Sequence, residues 1–260
     1  MKFEPYPPCE QLRPYVQQFV ISENDEPQTY KVLPGTSLVM GFQYSGSLSY
    51  QNNNTPIPLA TAGVTGLMDG YRMFQNTANT GTVLVIFREA GAAQFFTNPV
   101  NELFRESLSL EHLFSSAALN ETRERLAVAA NDAERIAVVE ALLLAQLRDT
   151  PTDLMVYKAL QLIHHSKGTI RITELAENLN TSQSPLEKRF RKIVGSTPKK
   201  FASIVRIKNV IAALEHGDQD GAAFLAGYYD QAHFIKDFKA FTADTPEQFL
   251  KAVRRQQKGN

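Results

Sequence analysis

Between Glu187 and Phe201 the chain reads EKRFRKIVGSTPKKF, with six basic residues and one acid. Phe190, Ile193, Val194 and Phe201 recur among the charges at helical spacing. Such a helix can turn an apolar stripe to a core and a positive face outward. The chemistry open to that face is recognition of a polyanion. Lys188 can pair with guanine, Gln183 with adenine, and Glu187 can accept from the cytosine amino group. Ser184 and Arg191 share the same face, which completes the candidate base readers. This assumes a helix that starts after Ser182. If Ser184 is the cap instead, Ser184 and Glu187 make a capping box and are structural. A merely solvated polar face is the competing reading. Arg189, Lys192, Lys199, Lys200, Arg206 and Lys208 are candidates for phosphate contacts, which position a protein without reading sequence. Arg206 is equally suited to tying helices together.

Other chemistries find little support. His164 and His165 are adjacent, so they do not share a helix face, and no acid or cysteine completes a metal site. No nucleophile elbow, phosphate loop or zinc-protease motif is present. Glu89, Glu102 and Glu106 have no evident partner, and Cys9 lies in a flexible-looking start. We expect no catalytic residues, no metal, no cofactor and no enzyme activity. A single cysteine excludes an internal disulfide.

The basic stretch has an echo. RFRKIVGSTPKKF (189–201) aligns with DFKAFTADTPEQF (237–249). Phe190 matches Phe238, Ile193 matches Phe241, and both copies end in Thr-Pro-x-x-Phe. Upstream, each copy has a small residue, Ala176 or Ala223, and a left-handed stop, Asn180 or Gly227. A cap follows at Ser182 or Asp230. Helix, tight turn and helix make a helix-turn-helix unit. In the second copy Gln231, Ala232, Ile235 and Lys236 occupy the base-reading face, and Lys239 is a phosphate candidate. Between the copies, Thr197 caps a helix with Pro198 in its first turn, running to His216, roughly 28 Å. That suits two recognition helices about one DNA turn, roughly 34 Å, apart.

These residues carry a resemblance. Residues 154–254 resemble the DNA-binding domain of AraC/XylS-type transcriptional regulators, above all in GYYDQAHFIKDF, which follows the second-unit pattern G-[FY]-x-[DS]-x-x-[HY]-F-x-[RK]-x-F. The resemblance implies seven helices, two helix-turn-helix units about 170–195 and 218–243, and promoter DNA as partner. The family usually has glycine where this chain has Ala243. If that position needs a positive φ, Ala243 is strained. Ala222 is also smaller than the usual residue.

The elements ahead of this region are of another kind. Leu38, Met40 and Phe42 alternate, Ser45-Gly46 marks a turn, Asn52–Pro56 a break, and Val83–Phe87 a buried strand. Many short strands suggest a barrel or sandwich. AGAAQFFTNP suggests one short helix stopped by Pro99. LNETRERLAVAAN suggests a helix capped by Asn120, and NDAERIAVVEALLLAQLRD one capped by Asn131 or Asp132. Its stripe, Ile136, Val139, Leu143 and Leu147, is broad enough to serve a homodimer interface besides packing on the barrel. RDTPTD, Arg148 to Asp153, is the candidate linker.

Zero net charge hides an asymmetry. Of 27 basic and 27 acidic residues, 17 and 11 lie in 151–260, leaving 10 and 16 in 1–150. The basic half again suggests a polyanion. No apolar run is long enough for a membrane helix and the start has no signal-peptide core, so a cytoplasmic location without membrane contact is expected.

The expected fold is α+β in two domains: a β-rich barrel or sandwich with following helices over 1–150, a sensor or dimerisation domain, then an all-α domain over 154–256. The expected function is sequence-specific DNA-binding regulation, responsive to a small-molecule effector and addressed to the transcription machinery. Phe42, Tyr44, Tyr50, Tyr71 and Phe74 are the candidate pocket aromatics. One alternative makes the first half a protein-interaction module without ligand. A remoter one makes it a metabolite-modifying β-barrel enzyme, which the absence of histidine from residues 30–90 disfavours.

Overall fold

The computed structural model describes residues 1–52, 55–148, 150–215 and 231–258. Strands come first: β1 (Lys2–Tyr6), β2 (Val16–Asn24), β3 (Gln28–Val32), β4 (Val39–Ser45), β5 (Leu48–Asn52), β6 (Thr55–Pro58), β7 (Ala62–Thr65), β8 (Arg72–Asn76), β9 (Thr80–Phe87) and β10 (Ser107–Ser109). They form two sheets of antiparallel pairs, in the orders β1-β2-β9-β4-β7-β10 and β3-β8-β5-β6. The Asn52–Pro56 break expected from sequence is shorter: Asn52 already pairs with Thr55, and Pro56 sits in edge strand β6. An edge tolerates proline because one side of the strand needs no donors.

Strand β9 shows how the larger sheet divides its labour. Its β-branched run alternates faces. Val83, Val85 and Phe87 are fully buried in the core on one side, with Phe19, Ile21, Met40 and Phe42. Thr82, Leu84 and Ile86 face the other way, into a cavity also lined by Tyr30 and Val32 of β3 and Phe74 of β8. The cavity therefore lies between the sheets.

Helices cover the first face. α1 (Ser116–Val128) is capped by Ser115, not Asn120, which lies inside the helix. α2 (Asp132–Gln146) is capped by Asn131, whose side chain accepts from the Glu134 N–H while Glu134 returns to the backbone of Ala130. AGAAQFFTNP does not form one α-helix: 3-10 helices span Gly91–Gln94 and Val100–Leu103, one on each side of Pro99. The dimer stripe needs correction too. Ile136, Val139 and Leu143 are buried in the chain's own core and Leu147 packs against it, so they leave no free apolar face. Nor is the start loose: Lys2 Nζ and Tyr6 Oη both reach Asp132, and Glu140 accepts the Cys9 N–H at 2.7 Å.

After residues 148 and 150–153 the described chain is helical: α3 (Leu154–His165), α4 (Ile172–Asn178), α5 (Gln183–Val194), α6 (Pro198–Glu215), α7 (Gln231–Thr242) and α8 (Pro246–Lys258). Six of the seven implied helices are thus described. The expected first helix of the second unit, with Ala222, Ala223, Gly227 and Asp230, lies outside the described residues, as does His216. α6 belongs to two cores. Phe201, Ala202 and Val205 join the first, and Ile204, Ile207, Val210, Ile211 and Leu214 join a second with Phe234, Phe238 and Phe241 of α7.

Two positive-φ positions end the paired helices. Gly195 after α5 has φ 97, and a Cβ there would lie 3.0 Å from Val100. Ala243 after α7 has φ 72. An L-residue with a Cβ pays about 1–2 kcal/mol in that region. Ala243→Gly should therefore raise stability by about 1 kcal/mol, read as a higher urea midpoint at unchanged slope.

Candidate nucleic-acid interface

The first helix-turn-helix unit is α4, a turn at 179–182, and α5. Asn180 takes φ 50, the left-handed stop such a turn requires. α5 begins after Ser182, so Ser184 and Glu187 are helix residues and not a capping box. Leu186, Phe190 and Val194 are fully buried. Gln183, Ser184, Lys188, Arg191 and Lys192 are exposed on the remaining surface, and Glu187 is half-buried. In the second unit Ala232, Lys236 and Lys239 of α7 are exposed, while Ile235 packs partly against the second core.

The remaining cations divide by their partners. Lys199 is exposed at the start of α6. Arg189 donates from Nε to Asp153 Oδ2 at 2.8 Å, which fastens α5 to the cap of α3. Lys200 Nζ lies 2.6 Å from Asp69, in the β7–β8 loop, which also takes two hydrogen bonds from Arg105. Burial alone would raise the Asp69 carboxyl, but the bonds from Arg105 and Lys200 outweigh it and hold its pKa below the usual value. Arg206 is half-buried beside the Gly168 turn. Lys208 projects from α6 to the rim of the cavity.

The cavity encloses about 760 Å³. Of the five aromatics expected there, only Phe74 lines it. Phe42 is in the core. Tyr44 donates to Glu23 under Arg135, Tyr50 lies under Arg72, and Tyr71 is exposed below Lys31. Arg72 lines the cavity with Ser107 Oγ and the Arg105 carbonyl as its hydrogen-bond acceptors, and burial lowers its pKa. Arg88 and Glu89 share the Lys208 end.

Besides the Lys200–Asp69 pair, further contacts tie the β-rich half to the helical half. α5 packs on the 3-10 helices Gly91–Gln94 and Val100–Leu103. Lys31 Nζ donates to the Thr242 carbonyl at 2.9 Å and pairs with Asp244 at 2.7 Å, closing the end of α7 beside strained Ala243. His164 Nε2 lies 2.8 and 2.9 Å from the two oxygens of Glu89, which sequence left without a partner. None of these pairings is local, so no spacing signals them. Among the described residues no cluster of three or more His, Cys, Asp or Glu could hold a metal, and no helix is long and apolar enough to cross a membrane.

Residues 175–252 match the model of a helix-turn-helix domain, and residues 4–109 that of a domain of unknown function (DUF6597). The Msm operon regulatory protein of Streptococcus mutans serotype c is 26% identical over 159 residues, which cover 59% of this chain and 57% of that protein. An uncharacterized HTH-type transcriptional regulator of Haemophilus influenzae is 31% identical over 84 residues, 32% of this chain and 28% of that protein. The chain thus spans less than two thirds of the length of either relative. Among solved structures, ToxT from Vibrio cholerae aligns over 90% of this chain and 97% of its own, at 13% identity and a TM-score of 0.46. The chain thus carries a helix-turn-helix domain over residues 175–252 behind a β-rich amino-terminal region that matches the domain of unknown function over residues 4–109.

The Glu89 hydrogen bond raises the His164 pKa above 6.5 against the opposing effects of burial and Lys208. A raised folded-state value means this contribution is complete below the unfolded pKa, about 6.5, and is lost as pH rises through the higher folded value. Melting temperature measured from pH 5 to 9 should fall across that window in the parent and show a flatter profile in His164→Gln.

Proposed function

We propose that the chain is a sequence-specific DNA-binding transcriptional regulator whose β-rich half, about residues 1–150, senses a small molecule and whose helical half, about 154–256, binds promoter DNA. The observation that carries the reading is α5. Leu186, Phe190 and Val194 of its apolar stripe are fully buried and Ile193 partly so, while Gln183, Ser184, Lys188 and Arg191 stand exposed on the opposite side. A rigid helix with a polar, basic outer face suits the major groove, where its N-terminal residues meet base edges. Lys199 and Lys192, both exposed, are candidates for phosphate contacts. The second unit presents Ala232, Lys236 and Lys239, a sparser face, and is expected to read fewer bases. α6, 18 residues and roughly 27 Å long, spaces the units for successive turns of one duplex.

The cavity favours the effector reading over a bare interaction module. Its size falls in the range of small-molecule sites, roughly 300–1,000 Å³. Its walls also adjoin the tethers. Tyr30 and Val32 line it while Lys31 between them holds the end of α7, and Met68 lines it next to Asp69. A ligand that shifts β3 or the β7–β8 loop therefore changes how both units are presented.

Genome-wide mapping of bound DNA, then affinity at two salt concentrations, tests the reading. Specific sites and a steep loss of affinity with salt are expected; no enriched site, or salt-independent binding, would sink it. Lys188→Ala should relax base preference at one position by about 1–3 kcal/mol, whereas Lys199→Ala should weaken all sequences alike and reduce the salt slope by about one.

A further inference from the structure

The cavity has two chemically different ends. Arg72, Arg88, Glu89 and Lys208 mark one. Along β9, Thr82 lies six residues from Arg88, roughly 20 Å at strand rise. At the Thr82 end the cavity is lined by Ser22, Asn24, Gln43, Thr80 and Thr82, all uncharged. Two of these are satisfied within the protein. The Gln43 amide donates to the Ala60 carbonyl and accepts the Leu48 N–H, and the Thr80 hydroxyl donates to the Thr77 carbonyl. Two are not. Asn24 is 4% exposed and Thr82 2%, and Asn24 Oδ1 and Thr82 Oγ1 have no hydrogen-bond partner. Asn24 pairs across the sheet with Thr80, so Asn24 and Thr82 are diagonal neighbours on one face. Buried polar atoms without partners cost stability and are rare unless something uses them.

Resting on the sensor reading above, we propose that the effector carries a neutral hydroxyl or carboxamide that seats between Asn24 and Thr82, with an apolar body along Tyr30, Phe74, Leu84 and Ile86. An amide and a hydroxyl each donate and accept, so they call for a partner that does both. The side chains lining that end carry no charge, so a carboxylate or ammonium there would be desolvated with no side chain of opposite charge to pair with. The ligand would satisfy hydrogen-bonding capacity that the fold leaves unused.

The test uses the full chain, with octanol, octanamide, octanoate and octylammonium as probes of matched body, in thermal-shift and calorimetric titrations. Octanol and octanamide should bind the parent and the two ions should not. Thr82→Val keeps the shape, and Asn24→Leu replaces the amide with an apolar group. Each should weaken octanamide about tenfold, the loss expected for about one hydrogen bond. Without probe, each should melt at or above the parent temperature, because an unpaired polar group has gone. A lower melting temperature with unchanged binding would make these side chains structural and overturn the proposal. Preferential binding of an ion, unaffected by either substitution, would overturn it while leaving the sensor reading intact. Should no probe bind, and Ile86→Phe stabilise the chain by filling the cavity, both readings fail.

Discussion

The burial of Leu186, Phe190 and Val194 decides more of this molecule than any other interaction. Each side chain, removed from water, contributes about 1.5–3 kcal/mol. Together they fix the rotation of α5 about its axis, and the helix repeat then dictates that Gln183, Ser184, Lys188 and Arg191 face out. The same stripe sets what lies beneath. α5 rests on α3 and α4 on one side and on the 3-10 helices that flank Pro99 on the other. The core is consequently continuous from β2 and β9 to Phe201. The exposed polar face and the junction between halves are two sides of one helix.

α6 extends that constraint to the second unit. Its first turns belong to the first core and its later turns to the second. A helix gripped at both ends transmits position as a rod does. Its far partner, α7, is held less economically. Where α5 ends on Gly195, α7 ends on Ala243 at φ 72, and Lys31 supplies a cation to the carbonyl end of the helix. A positive charge at a helix C-terminus is favourable, and it partly offsets the strained residue. The terminus of α7 thus depends on the β-rich half, whereas that of α5 is sustained by its own glycine.

Local periodicity is why the helical half was legible. Stripe, cap and stop of each unit lie within about a dozen residues, so Leu186, Phe190, Asn180 and Gly195 announce their roles in sequence. The alternation of Leu38, Met40 and Phe42 worked for the same reason. The errors have a common physical cause. Aromatic type does not say which face of a sheet a residue takes, so Phe42 went to the core and Tyr50 under Arg72. A broad apolar stripe does not say how much covers it, and the sheet and helices of the same chain covered Ile136, Val139 and Leu143. Ion pairs such as Asp69 with Lys200, and His164 with Glu89, join residues far apart in sequence. Asn24 has the least sequence signal of all, because its importance lies in partners it lacks.

The two-residue repeat of a strand joins these observations. In β3, Tyr30 and Val32 must face the cavity if Lys31 is to face α7, and no residue can belong to both sides. Any ligand bulky enough to displace Tyr30 or Val32 therefore moves the Lys31 backbone, and with it the clasp on Thr242 and Asp244. The Asp69 clasp on Lys200 is exposed to the same effect through Met68. The Lys31 pair is partly exposed and worth little by itself, whereas Asp69 is largely buried and held by Arg105 as well as Lys200. Weakness suits a switch: a ligand needs only modest differential affinity to shift an equilibrium held by a weak clasp. The apolar junction beneath α5 is far more costly to open. Under the proposed function, the physical expectation is thus a molecule in which α7 responds to a ligand in the cavity while α5 keeps its seat.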